Sequence, residues 1–358
     1  MKKKRSKMLV SIILAGVLGI ACPGMKVLPG SPVEVQAAET IQPADVTQAA
    51  EVTQSETAVT NEKNETITSA PSSIQWKQKG RKRYCYKNGK KLTGFQQIDG
   101  FWYYFNSKGI MCTGWQHAEK HYRYFSPKTG KMRTNTTVQG RKINSEGIWT
   151  PVVVLDPGHT GVVSGGYEPL GPGSSERKAK DTSGTQGVAT GVPEYQLTLK
   201  VAKQLSTALK KQGCKVVMTR TNNKKALSCI QRTKIANRAK ADAYLRIHAN
   251  GSDSSGVTGA MTICVTKNSL FVSSKLYKKS YALSKAVLDS YVKETGCRKE
   301  KIWQTDTMTG NNWSKVPTTL IEMGYMSNPS EDRKMQTKAY QKKMVKGMAE
   351  GIKAYFLG

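Results

Sequence analysis

Residues 152–159 read Val-Val-Val-Leu-Asp-Pro-Gly-His, a short apolar run that passes directly into a turn and a histidine. Four consecutive apolar residues without polar alternation are typical of a strand that is buried on both faces of a sheet. Similar runs follow at 215–219, 243–247, 261–265 and 318–321. The sequence therefore predicts five buried strands in this half of the chain.

Helical patterns separate these strands. Two sets of apolar residues recur every four positions, as on the buried face of a helix: Leu197, Val201, Leu205 and Leu209, and then Tyr340, Met344, Met348 and Ile352. The first helix is predicted to end at Gly213, and Asn328 is predicted to cap a helix that has Pro329 at its first position. Alternating strands and helices predict an α/β domain over residues 150–358, with a mostly parallel sheet covered by helices on both faces.

Ionisable side chains follow three of the predicted strands. His159, His248 and Glu322 each come directly after a buried run, and ligands of open sheets bind beyond the carboxyl ends of the strands. Glu194 begins the first helix and is the best further candidate, because a helix N-terminus favours a carboxylate. Two imidazoles and carboxylates suit a zinc site. Judged by their spacing alone, these four residues could instead cap helices or turns or be polar residues of the core.

Three charged residues near these candidates have open roles. Asp156 is predicted either to accept a hydrogen bond from the ring of His159 or to cap the turn. Arg232 lies in a predicted helix and is expected to form a structural ion pair. Arg246 precedes His248 by two residues and is expected to form a surface ion pair, with contact to substrate as the alternative.

An aromatic repeat occupies residues 76–149, which hold 14 of the chain's 27 aromatic residues. Thr93-Gly94-Phe95 recurs 20 residues later as Thr113-Gly114-Trp115, and each unit contains alternating aromatics and a Gly-containing turn. This pattern predicts short stacked β-hairpins, each too small to bury its own apolar face. We therefore expect a small all-β module before the α/β domain.

The first 75 residues predict an exported protein. Residues 1–37 have the basic start and short apolar run of a signal peptide, too short for a retained membrane span, and residues 38–75 form an acidic, disordered linker. The chain holds 56 Lys and Arg against 25 Asp and Glu, a net charge of +31, which suits a polyanionic partner. Export argues against nucleic acid. The six cysteines after residue 37 are expected to be buried or free, with disulfides as the alternative.

Several motifs of the α/β half resemble one enzyme family. They are Asp156-Pro157-Gly158-His159, Gly184-Thr185-Gln186-Gly187, Glu194-Tyr195, Ile247-His248-Ala249-Asn250 and residues 321–328, and together they resemble the zinc-dependent N-acetylmuramoyl-L-alanine amidases, type 3. The resemblance implies that His159, Glu194 and His248 bind Zn²⁺ and that Glu322 is the catalytic carboxylate. It also implies cleavage of peptidoglycan between N-acetylmuramic acid and L-alanine, as by an autolysin.

The aromatic repeats resemble the choline-binding-type cell-wall repeats, in which rings of neighbouring units enclose a quaternary ammonium. The resemblance implies two candidate boxes, Phe95 with Trp102 and Trp115 with Tyr122, although the rings also suit an inter-hairpin core. We therefore expect a secreted, wall-associated protein whose partners are peptidoglycan and anionic wall polymers or choline-like groups. The alternatives are a non-catalytic wall-binding or adhesion protein, a zinc peptidase cutting within the stem peptide, and an exported nucleic-acid binder.

Overall fold

A computed structural model of the chain describes residues 73–358. The predicted signal peptide, 1–37, lies outside the described residues, as does the predicted linker, 38–75, except for its last three residues. The first strand begins at Ile74, two residues before the predicted start of the repeat module.

Short antiparallel hairpins form the first part of the described chain. Their strands are β1 (Ile74–Lys79), β2 (Lys82–Lys87), β3 (Lys90–Lys91), β4 (Gly94–Ile98), β5 (Phe101–Phe105), β6 (Met111–Cys112), β7 (Gly114–Ala118), β8 (His121–Phe125), β9 (Thr136–Val138) and β10 (Arg141–Ile143). Gly94 and Gly114 begin equivalent strands with φ values of +73° and +74°, a conformation that favours glycine. The predicted hairpin repeat is confirmed.

A six-stranded sheet forms the centre of the second part. The strands after the repeats are β11 (Val152–Pro157), β12 (Tyr167–Pro169), β13 (Arg177–Ala179), β14 (Lys215–Met218), β15 (Ala243–Asn250), β16 (Ala260–Cys264), β17 (Lys299–Gln304) and β18 (Thr318–Tyr325). The sheet order is β14-β11-β15-β18-β16-β17, while β12 and β13 form a separate antiparallel pair. Only β16 and β18 pair antiparallel within the sheet, so the predicted mostly parallel sheet is confirmed.

Helices cover both faces of this sheet, as predicted. They are α1 (Glu194–Lys211), α2 (Cys229–Arg238), α3 (Ser274–Thr295), α4 (Thr309–Asn312), α5 (Pro329–Gln336) and α6 (Lys338–Leu357). The larger apolar core lies between the sheet and α1, α3 and α6, and a smaller one contains Ala236 of α2 and Tyr244 of β15. Asn328 caps α5 by accepting hydrogen bonds from the backbone N–H groups of Ser330 and Glu331. Within residues 73–358, no helix is long and apolar enough to cross a bilayer.

The third hairpin, formed by β7 and β8, packs against the α/β part of the chain. Tyr122 and Trp149 contact Phe356 of α6, with ring centroids 5.5 and 5.2 Å apart, and belong to the same core as the sheet. His117 Nε2 lies 2.9 Å from the carbonyl oxygen of Gln212, at the C-terminal end of α1. Since α1 has 18 residues, this contact lies about 27 Å along the helix from Glu194. The hairpins therefore contact the edge of the domain opposite the candidate site.

The candidate aromatic boxes are not open cages. Trp115 is 5% exposed and Tyr122 fully buried, so these two rings are part of the core, and their burial argues against the box predicted for them. Phe95 and Trp102 do lie together, but they stack at 4.3 Å and 8°, which leaves no space between the rings for an ammonium group. Hydrophobic burial between hairpins and domain accounts for the Trp115–Tyr122 placement.

Candidate active site

Three of the predicted site residues meet at the carboxyl edge of the sheet. His159, Glu194 and His248 each offer one ligand atom, and these atoms lie within 4.8 Å of one another. His159 Nε2 is 3.3 Å from Glu194 Oε2, and His248 Nδ1 is 3.1 Å from Glu194 Oε1. The end of β11, the start of α1 and the end of β15 thus bring together residues that are 35 and 54 positions apart in sequence.

The backbone after β11 fixes the orientation of the first imidazole. His159 has a φ of +59°, a left-handed conformation that is strained for a residue with a side chain. Its Nδ1 lies 2.8 Å from the carbonyl oxygen of Thr182. Because a carbonyl only accepts, Nδ1 carries the proton and donates it. This hydrogen bond turns Nε2 toward Glu194, and in the neutral ring the lone pair of Nε2 would be available to a metal.

Two glycines leave room for this cluster, and neither was among the predicted site residues. A Cβ atom on Gly158 would overlap the ring of His248. Gly184 has a φ of +80°, and a Cβ there would lie 2.6 Å from Glu194 Oε2 and 2.8 Å from His159 Cδ2. Thr182 was also missed. Both glycines lie in motifs that carry the family resemblance, but the sequence does not indicate which side chain each glycine faces.

Glu322 lies beside the cluster on the neighbouring strand. In the parallel pair β15–β18, Glu322 is the register partner of His248. Among the described residues, Glu322 Oε2 and His248 Nε2 are buried and have no hydrogen-bond partner. Buried polar atoms in proteins are nearly always partnered by protein, water or an ion. These two atoms, together with the His–Glu–His donor set, fit a catalytic metal with a bound water.

Burial and neighbouring charge shift the pKa values in this cluster in opposite directions. Burial lowers the pKa of His248 to about 4, which keeps its imidazole neutral. Burial alone would raise the pKa of Glu194, but the two neighbouring imidazoles hold it well below its usual range. Burial and the charge of Glu194 raise the pKa of Glu322 well above its usual range. The cluster thus contains one anionic carboxylate and one that holds a proton readily.

A buried ion-pair network supports the strand that leads to His159. Asp156 is fully buried and accepts hydrogen bonds from Thr219 Oγ1 at 2.6 Å, Arg232 Nη1 at 2.8 Å, Tyr244 OH at 3.0 Å and Arg246 Nε at 3.2 Å. The structural ion pair expected for Arg232 is confirmed. Both roles expected for Asp156 are wrong, because its carboxylate oxygens bind these four donors instead.

The ion pair expected at the surface for Arg246 is buried instead. Its side chain is 5% exposed and projects from the same face of β15 as His248, two residues on. Gly310 makes this possible, because a Cβ atom there would lie 2.6 Å from Arg246 Cζ. Arg246 also lines a cavity of about 90 Å³ that reaches His159 and His248. It is therefore placed next to the candidate site, while its charge is paired with Asp156.

Sequence comparison assigns the α/β part to a known family. Residues 153–354 match the sequence profile of N-acetylmuramoyl-L-alanine amidases, and residues 92–136 match that of a choline-binding repeat. The first match covers more than half of the chain. The chain therefore belongs to the N-acetylmuramoyl-L-alanine amidase family.

Individual relatives agree with this assignment. A protein described as the probable cell wall amidase LytH of Staphylococcus aureus is 29% identical over 205 residues, which are 57% of this chain and 58% of that protein. The chain thus spans less than two thirds of this relative. The apo form of an N-acetylmuramyl-L-alanine amidase of Mycobacterium abscessus is 26% identical with a TM-score of 0.52, over 57% of this chain and 98% of the other. The corresponding Mycobacterium smegmatis structure, 24% identical over 57% and 96% with a TM-score of 0.52, has the same fold.

Proposed function

We propose that this chain is a secreted, zinc-dependent peptidoglycan hydrolase that cleaves the amide bond between N-acetylmuramic acid and the L-alanine of the stem peptide. The observation that carries the proposal is the convergence of His159, Glu194 and His248 beside Glu322 at one sheet edge. Membership of the amidase family and the relative described as a cell wall amidase support the same substrate class. The aromatic repeats would hold the enzyme at the wall.

The donor set defines how a metal would be held. His159 through Nε2, one oxygen of Glu194 and one nitrogen of His248 would bind it, with a fourth position left for water. When bound, zinc lowers the pKa of that water toward about 7 and polarises the amide carbonyl. The hydrogen bond from His159 Nδ1 to Thr182 keeps the first ring oriented for this task.

Glu322 would transfer the proton. Its unpartnered Oε2 lies in a buried site, and burial together with the charge of Glu194 raises its pKa above the usual carboxyl range, the direction that lets a carboxylate take up a proton more readily. It would take the proton of the attacking water and deliver it to the nitrogen of L-alanine as the amide bond breaks. The products would be a glycan with a free lactyl carboxylate and a stem peptide with a free amino terminus.

Product analysis tests this reaction class. The purified protein is incubated with a defined muropeptide and zinc, and the products are analysed by mass spectrometry. The expected result is intact stem peptide that begins with L-alanine. A new amino terminus inside the stem peptide would indicate a peptidase instead. Unchanged muropeptide together with binding to walls would favour the non-catalytic wall-binding protein.

A further inference from the structure

The first hairpin sheet, β1-β2-β3, presents one face made mainly of lysines and tyrosines. Directly paired residues of an antiparallel ladder project from the same side of the sheet. Lys77 pairs with Tyr84, Lys79 with Lys82, and Tyr86 with Lys91. Gln75, which also pairs with Tyr86, projects from the same side. We call the other six residues the lysine face: Lys77, Lys79, Lys82, Tyr84, Tyr86 and Lys91. Its four lysines are exposed and its two tyrosines partly exposed.

The opposite face of this sheet is buried against the second hairpin. Cys85 is fully buried, and the ring of Trp76 lies 5.1 Å from that of Tyr103 and 6.0 Å from that of Phe105. This small core holds the sheet in place from one side only. The lysine face therefore points away from the second hairpin, and the small core on the other side of the sheet holds it in place.

The charge of this sheet has no partner in the described part of the chain. Residues 74–91 contain eight Lys and Arg and no Asp or Glu, and none of these cations forms an ion pair with another residue of 73–358. Lys79 and Lys82 stand directly opposite each other, although like charges in a cross-strand pair are destabilising. This arrangement opposes stability and favours binding of an anion that contacts several lysines at once.

The tyrosine rings of this face are already covered by the chain's own cations. Lys77 Nζ lies 4.9 Å from the ring centroid of Tyr86, and Lys91 Nζ lies 5.3 Å from that of Tyr84. The same occurs at Phe95 of the second hairpin, whose ring centroid lies 4.8 Å from the guanidinium of Arg123 in β8. A quaternary ammonium would need these ring faces for cation–π attraction. The surface that remains offers positive charge, which would repel such a ligand.

We propose that the lysine face binds a linear phosphodiester polyanion of the cell wall, and that this contact, rather than choline binding, tethers the enzyme. The inference rests on the proposed function, which places the substrate in the wall. Lysine ammonium groups bind phosphate as point charges. Side chains two residues apart on a strand project about 7 Å apart, so successive phosphates of a flexible polymer can contact several lysines. Binding of this kind is electrostatic and falls as salt is raised.

The test compares walls with and without their phosphodiester polymers. Walls are used before and after hydrofluoric acid removes these polymers, and binding is measured by co-sedimentation at several salt concentrations. The variant replaces Lys77, Lys79, Lys82 and Lys91 with Gln. The matched control replaces four exposed helical lysines, with the same change in net charge: Lys200, Lys203, Lys210 and Lys342. Each arm uses the full protein, so the acidic segment before the hairpins is present throughout.

We expect the lysine-face variant to bind untreated walls about 30-fold more weakly, since four exposed ion pairs are lost at once, and the control to bind like the wild type. Extracted walls should bind wild type and variant equally weakly, and choline should not elute the protein. Equal binding of wild type to both wall preparations would overturn the proposal. So would elution by choline, equal loss in the control, or tighter binding to duplex DNA than to untreated walls at the same salt.

Cleavage of a soluble muropeptide, measured on the same preparations, separates this inference from the proposed function. The lysine-face variant should cleave it at the wild-type rate, because the hairpins contact the domain far from Glu194. If wild type binds walls through phosphate but cleaves no muropeptide, the proposed function is wrong and the proposed role of the lysine face is retained. If it cleaves muropeptide but binds walls equally well with and without their phosphodiester polymers, only the proposed role of the lysine face is wrong.

Discussion

His248 and Glu322 are register partners on the parallel strands β15 and β18. The pairing places a neutral imidazole and a carboxyl group of raised pKa on the same side of one sheet edge. Because both side chains start from hydrogen-bonded strands rather than from loops, their separation is fixed by the sheet. One proposed metal ligand and the proposed proton carrier therefore belong to one rigid scaffold.

Replacing a ligand should remove the metal. We expect His159→Ala and Glu194→Ala to bind zinc at least 100-fold more weakly than the wild type, because a site with three protein ligands loses one of them. His121→Ala, a histidine of the repeats, should retain one zinc per chain. Metal content is measured after equilibrium dialysis by inductively coupled plasma mass spectrometry. Full occupancy in His159→Ala would contradict the assignment of this ligand.

Gly184→Ala should impair the site through a steric effect. A methyl group there would approach Glu194 Oε2 and His159 Cδ2, so zinc affinity should fall about tenfold or more. Gly173→Ala is the matched control, because Gly173 has a similar φ of +77° but no heavy atom within 4 Å of an added Cβ. Both variants should lose about 1 kcal/mol of stability from the positive φ. Equal zinc affinity in the two variants would show that the space at Gly184 is unimportant.

Asp156→Asn should destabilise the fold by about 3–5 kcal/mol, because Arg232 and Arg246 would lose a buried counter-charge. Burial alone would raise the pKa of Asp156, but the two guanidinium groups hold it well below its usual range. A depressed folded-state pKa contributes stability above the unfolded value of about 3.9, and this stability is lost as pH falls below it.

Denaturant unfolding between pH 2 and 6 measures this effect. The wild type should lose stability toward low pH more steeply than Asp156→Asn, since the variant has no carboxylate to protonate at this position. Asp289→Asn, which alters an exposed ion pair, is the control and should change stability by less than about 1 kcal/mol. Parallel pH profiles for wild type and Asp156→Asn would be inconsistent with the depressed pKa.

The sequence predicted the strands that are apolar throughout and the ionisable residues that follow them. It missed β17, Lys299–Gln304, because this edge strand begins with three charged residues, contains only two apolar ones and is partly exposed. It also predicted the hairpin period, because the Thr-Gly-aromatic motif and the glycine turns repeat locally.

Contacts that depend on side-chain direction could not be predicted from spacing. The sequence allowed Arg246 to be a surface residue, since nothing local indicates that Gly310, 64 positions away, leaves space for its guanidinium. The burial of Trp115 and Tyr122 likewise depends on contact with α6, more than 200 residues further along the chain. Aromatic repeats have the same pattern whether their rings bind a ligand or pack against a neighbouring domain.

Tyr122→Ala should destabilise the α/β domain as well as the repeats. The ring is fully buried between the third hairpin and Phe356, so its loss should cost about 3–5 kcal/mol. Tyr167→Ala removes a ring that is 63% exposed and should have little effect. Thermal unfolding monitored by circular dichroism measures both. An unchanged melting temperature for Tyr122→Ala would contradict a shared core.

The most direct test of the central claim is the activity and zinc content of Glu322→Gln, measured together on one muropeptide. This change keeps the size of the side chain but removes its ability to carry the proton, so we expect a full complement of zinc and a fall in kcat of at least about 100-fold. Near wild-type kcat with zinc bound would contradict the role assigned to Glu322.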